Sequence, residues 1–215
     1  MPAGFFGKIK NYEKNKVKKT IPFSSYFKRL AGTNNPPKKE FEISKLMGNE
    51  NIGPKVYSSS IKMFTSEMIL NKMNNTFASK QNITKTDMKD ILTLIVRMHR
   101  LGYDHFDIHG NNIMYKTSKN GKVEWRLIDF GRSRKIPSKF VDIDYKNTIK
   151  FITTEECVHF YGMEKDISDL AKIFVFKYLK KEQEKDKLNF NIHRSRYKFY
   201  LFFVKLLRKI NENTK

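Results

Sequence analysis

The chain has 215 residues, 43 of them Lys or Arg and 22 Asp or Glu, for a formal net charge of +21. Hydrophobic residues make up 39% and aromatics 13%, which suffices for a buried core and excludes a wholly disordered chain. One cysteine, Cys157, excludes an intramolecular disulfide framework and a Cys-rich zinc site and points to a reducing compartment, cytoplasmic or nuclear.

Chain order begins with residues 5–21, where Phe5, Ile9, Val17 and Ile21 alternate loosely with lysines. This predicts two short strands with a turn near Glu13–Asn15. Residues 31–38 read as a loop from their Gly, Asn and Pro content. A helix is expected over 39–47, with Phe41, Ile43, Leu46 and Met47 on one face, ended by Gly48, Gly53 and Pro54. Val56–Ser58 and Lys62–Leu70 read as a hairpin, and polar Asn71–Thr86 as a linker or a fraying helix. Asp87–Leu101 has apolar residues at helical spacing, with Gly102 as its C-terminal cap. Ile113–Tyr115 and Trp125–Ile128 read as strands around Ser118-Lys-Asn-Gly121, whose Asn-Gly is a hairpin signal. Ser168–Leu179 and Arg196–Ile210 read as two further helices. The expected fold class is α+β: a small sheet lobe followed by a mostly helical one.

The charge is uneven. Residues 1–40 and 177–215 are strongly basic, and most acidic side chains fall between them. Basic ends suit nucleic acid, an acidic protein segment or an anionic surface. A lysine- and asparagine-biased composition that confers solubility explains the same numbers. Such a bias suits a large DNA virus, with virion association, or an AT-rich parasite. No apolar run reaches the ~18 residues of a membrane helix, and no signal-peptide stretch opens the chain, so a non-spanning intracellular protein is expected.

The chemistry concentrates in Leu101-Gly-Tyr-Asp-His-Phe-Asp-Ile-His-Gly-Asn-Asn-Ile-Met-Tyr115 and Leu127-Ile-Asp-Phe-Gly131. Asp107 and Asn112 lie on one loop after a helix. A hairpin should bring Asn112 close to Asp129. Asn112 and Asp129 offer hard oxygen ligands of the kind Mg²⁺ takes, and Asp107 can reach a hydroxyl beside such an ion. That combination serves phosphoryl transfer. A zinc reading of His105, Asp107 and His109 lacks a fourth ligand.

The pattern resembles the protein-kinase catalytic loop, His-x-Asp-x-x-x-x-Asn, and metal motif, Asp-Phe-Gly, matched at His105, Asp107, Asn112, Asp129, Phe130 and Gly131. Val17-Lys-Lys-Thr-Ile-Pro-Phe, Glu42-Ile-Ser-Lys-Leu-Met and Ile52-Gly-Pro-Lys-Val-Tyr57 are similar to the small atypical kinases, the RIO and KEOPS-complex type. The resemblance implies a bilobal fold divided into residues 1–70 and 71–215, with ATP and Mg²⁺ (or Mn²⁺) as cofactors. It implies Lys18 on the nucleotide's phosphates with Glu42 as its partner; Lys16, Lys19 and Glu40 compete for these roles. It implies a hinge at Phe64–Ile69 holding adenine near Glu67 and Met68. Asp169 would brace the catalytic loop, with Asp166 competing, and His105, Phe130 and Gly131 would be supports.

Four departures accompany the resemblance. Only Gly4 and Gly7 precede Lys18, so a glycine-rich phosphate flap is missing. Phe106 replaces the usual Arg, which implies activity without a phosphorylated activation segment. His109 replaces the usual Lys, as in aminoglycoside and choline kinases. No Ala-Pro-Glu follows Asp-Phe-Gly, Thr153–Glu156 being the nearest acidic stretch. The implied activity is a serine/threonine protein kinase with Asp107, Asn112 and His109 in catalytic roles. The alternatives are a small-molecule kinase and an ATPase or RNA-associated module.

Overall fold

The computed structural model describes residues 8–22, 34–118, 120–136, 165–174, 177 and 205. The expected helix Arg196–Ile210 (apart from Lys205), Cys157, Thr153–Glu156, Gly4 and Gly7 lie outside the described residues, as does most of Ser168–Leu179 beyond 174. The chain divides into two compact units, 1–77 with 111–134 and 78–110 with 135–215.

Alternation sets the first unit. Strand β1 (Lys8–Glu13) turns through Asn15, at φ 63°, into β2 (Lys16–Pro22). Asparagine tolerates this left-handed backbone better than most residues. Strands β3 (Val56–Ile61) and β4 (Thr65–Asn71) complete an antiparallel sheet of order β1-β2-β4-β3. The register pairs Lys19 with Met68 and Ile21 with Ser66. Ile21 and Met68 are buried with Phe41, and Val56 and Leu70 pack against them.

Phe41 belongs to helix α1 (Pro37–Asn49). Proline at the first helical position is preorganised for this start. The helix ends where Gly48 approaches Pro54; a Cβ there would lie 2.7 Å from the Pro54 carbonyl oxygen.

The same unit holds a three-stranded sheet of order β5-β7-β8, built from β5 (Asn75–Thr76), β7 (Ile113–Thr117) and β8 (Val123–Leu127). The Asn120-Gly121 turn closes it, with Gly121 at φ 78°. Leu127 N–H donates to Ile52 O at 2.9 Å. Residues 71–77 and 111–134 fall in the same unit as the N-terminal sheet.

In the second unit, helix α2 (Lys85–Arg100) begins two residues earlier than its periodicity suggests. Thr84 Oγ1 accepts from Asp87 N–H at 3.1 Å, and Asp87 Oδ2 accepts from Thr84 N–H at 2.9 Å. This reciprocal capping satisfies two N-terminal donors. The helix buries Met88, Ile91, Leu92, Ile95, Val96 and Met98. Gly102, at φ 80°, provides the left-handed exit into strand β6 (Tyr103–Asp104). A further helix, α3 (165–174), buries Asp166, Ile167, Leu170, Ala171 and Phe174. Among the described residues, no helix is long and apolar enough to cross a membrane.

Candidate active site

The inner face of β2 presents Lys19. Its neighbours at two-residue spacing, Val17 and Ile21, face the same way, so the lysine stem runs through the packed side of the sheet. The ammonium Nζ lies 2.6 Å from Glu40 Oε1 and 2.8 Å from Asp129 Oδ1. Glu40 is wholly buried, on the face of α1 that also buries Ile43, Ser44 and Met47. Asp129 is 46% exposed at its side chain. Burial alone would lower the pKa of Lys19. The charges of Glu40 and Asp129, and the hydrogen bonds to both, outweigh it and raise the pKa above the usual lysine range, so the site holds a permanent cation.

This corrects the expected lysine–glutamate pair. Lys18 points to the opposite face of β2, with Nζ 3.5 Å from Glu67 Oε1 and 4.9 Å from the centre of the Tyr12 ring. Glu42 is exposed on the outer side of α1. The residues expected to form the hinge lie within a strand. Glu67 and Met68 lie in the middle of β4, hydrogen-bonded to strands on both sides. Glu67 is paired with Lys62 at 2.9 Å, and Met68 is buried in the core.

The β7–β8 hairpin places the two expected metal ligands. Ile128 N–H donates to Asn112 O at 2.9 Å, so the backbone of Asn112 lies opposite the residue before Asp129. Asn112 is buried. Asp129 adopts φ 65°, a left-handed conformation that a bulky residue would resist. Among the described residues, no three His, Cys, Asp or Glu side chains cluster to hold a metal. A cation here would rest on the Asp129 carboxylate and the Asn112 amide oxygen, a hard donor set that fits Mg²⁺ with water or phosphate completing its shell.

Phe130 is buried, and its ring lies over Gly53, where a Cβ would come within 2.9 Å of the ring. Asn35, in the loop before α1, is buried and fixes the same segment. Its N–H donates to Gly131 O at 2.5 Å, and its Nδ2 donates to Phe130 O at 3.3 Å and to Ser133 O at 2.5 Å. Sequence reasoning missed Asn35, which sits in a stretch that composition marks only as loop.

In the second unit, Asp107 and His109 share the loop after β6, with His109 Nε2 3.9 Å from Asp107 Oδ2. His105 is buried. Phe106 adopts φ 61°, a strained backbone for a bulky side chain. Asp166 holds it there. Its Oδ2 accepts from His105 N–H at 2.6 Å and its Oδ1 from Phe106 N–H at 2.7 Å. His99 Nε2, from α2, lies 3.0 Å from Asp166 Oδ2. The brace is thus Asp166 rather than the expected Asp169. Asp169 lies on the outer side of α3, ion-paired with Lys165 and, at 3.2 Å, with Lys172.

Residues 66–150 match the model of the lipopolysaccharide kinase (Kdo/WaaP) family. No curated protein matches the chain. The Kdo/WaaP proteins are members of the protein-kinase-like superfamily, and the matched span contains the loop 105–112 and Asp129-Phe130-Gly131. Over these residues the chain resembles the protein-kinase-like superfamily. Its α+β architecture is consistent with that fold, and the chemistry the matched family implies is kinase-type phosphotransfer.

Proposed function

We propose that the chain transfers the γ-phosphoryl group of ATP to a hydroxyl acceptor. The observation that carries the reading is Lys19 Nζ held at 2.6 Å by Glu40 and at 2.8 Å by Asp129. A buried, permanently charged lysine fixed to a helix carboxylate, with the Asp of an Asp-Phe-Gly segment beside it, is suited to nucleotide phosphates. In this reading Lys19 donates to a phosphate oxygen. Asp129 and Asn112 would hold Mg²⁺, which would neutralise charge on the phosphates. Asp107 orients the acceptor hydroxyl and takes its proton as the new O–P bond forms and the bond to the ADP oxygen breaks.

The first acceptor class is Ser or Thr of a protein. The test is labelled phosphate transfer from ATP to protein acceptors by the wild type and by Asp107→Asn. The expected result is incorporation into Ser or Thr that falls at least about 10²-fold in the variant. Equal labelling by both would remove the proposal.

A second reading is a sugar hydroxyl, favoured by the match to lipopolysaccharide kinases over residues 66–150. His109, half-exposed beside Asp107, is also the residue that small-molecule kinases carry there. Label appearing in Kdo-bearing lipopolysaccharide and in no protein would select this reading.

A further inference from the structure

Three elements of the first unit meet in a closed circuit. Lys19 joins β2 to α1 through Glu40 and to the Asp-Phe-Gly segment through Asp129. The third side, from the loop before α1 back to that segment, is made by Asn35. Its backbone N–H reaches Gly131 O, and its side-chain Nδ2 reaches Phe130 O and Ser133 O. Those carbonyls follow directly on the left-handed turn at Asp129, which local backbone preference does not favour.

We infer that Asn35 is a positioning residue: a latch that fixes Asp129 and helix α1 in one arrangement, so that the lysine and the metal-binding carboxylate are set without a phosphorylation switch. The inference rests on the phosphotransfer reading above and specifies how its site is kept assembled. The chemistry is specific to a side-chain amide. Nδ2 donates to two carbonyl oxygens at once, whereas a carboxylate can donate to neither. Pro36 and Pro37 follow directly, and their fixed φ angles limit the conformations open to the latch residue's C-terminal side.

The test compares wild type, Asn35→Ala and the isosteric Asn35→Asp. ATP turnover is measured across a Mg²⁺ titration, and amide hydrogen exchange is followed in residues 129–133. Both variants are expected to need several-fold more Mg²⁺ for half-maximal rate and to lose at least about 10-fold in kcat/KM, since a small misplacement of a reacting group reduces rate steeply. Exchange at 129–133 should rise while helix α2, in the other unit, keeps its protection. Unchanged Mg²⁺ requirement and unchanged exchange in a folded Asn35→Asp would overturn the latch. If Asn35→Ala fails to fold, Asn35→Asp decides. If the wild type turns over no ATP, the phosphotransfer reading fails, and the exchange data alone still decide whether Asn35 holds the segment.

Discussion

Lys19 and Asp129 are 110 positions apart in the chain, and their side chains meet at 2.8 Å. The contact sets a half-exposed carboxylate against a buried, charged ammonium, the pair that the proposed phosphotransfer uses. Asp129→Asn should leave the fold intact, because the side chain is half-exposed, and should abolish the part of ATP-induced thermal stabilisation that depends on Mg²⁺. Differential scanning fluorimetry with ATP alone and with ATP and Mg²⁺ checks this. An undiminished Mg²⁺-dependent shift in the variant would exclude Asp129 as a ligand.

Glu40 and Glu42 should behave oppositely. Glu40→Ala leaves the buried Lys19 without its nearer carboxylate, and removing one partner of a buried pair typically costs about 3–5 kcal/mol. Glu42 is exposed, and Glu42→Ala should fall within about 0.5 kcal/mol of wild type. Urea unfolding of the two variants measures the difference.

Asp166 and Asp169 form a second such pair. Asp166→Ala removes the acceptor for two backbone donors and for His99, so a loss of at least about 2 kcal/mol is expected. Asp169→Ala removes only surface ion pairs along α3 and should lose less than about 1 kcal/mol. Thermal unfolding distinguishes them.

The pH dependence has a definite sign. Burial opposes the charge on Lys19, but Glu40 and Asp129 raise its folded pKa above the ordinary 10.5. A raised lysine stabilises fully below its unfolded value, and that contribution is lost as pH rises through the folded value. The stability gap between wild type and the double variant Lys19→Met/Glu40→Met should therefore hold level from about pH 7 to 9 and shift in the variant's favour only above about pH 10.5. For Glu67, the hydrogen bond from Lys62 lowers the pKa, burial opposes this, and Lys18 adds to the lowering. Its contribution is present above the ordinary carboxylate value and is lost as pH falls. Chemical denaturation across pH tests both limbs.

Periodicity made the elements legible, and two motifs made the chemistry legible. What it left open was which of two neighbouring residues faces inward. The signal for Lys19 was nevertheless present: Val17 and Ile21 flank it at two-residue spacing, whereas Lys18 is flanked by Lys16 and Thr20. Glu40 shares helical spacing with Ile43, Ser44 and Met47, all buried, and Asp166 shares it with Leu170 and Phe174. Alternation over Lys62–Leu70 did mark β4 as one strand of a hairpin with β3, and the register agrees. It was the resemblance, not the residue pattern, that made Phe64–Ile69 a connecting segment. Asn35 was not legible at all, because its partners are main-chain carbonyls almost a hundred residues away and main-chain atoms leave no trace in composition.

The most direct measurement is ATP-dependent phosphotransfer by Lys19→Met and Lys18→Met, assayed side by side with wild type. Lys19→Met is expected to lose at least about 10²-fold in kcat while Lys18→Met stays within about 2-fold, since of the two only Lys19 stands between Glu40 and Asp129. Loss of activity in Lys18→Met with full activity in Lys19→Met would contradict it.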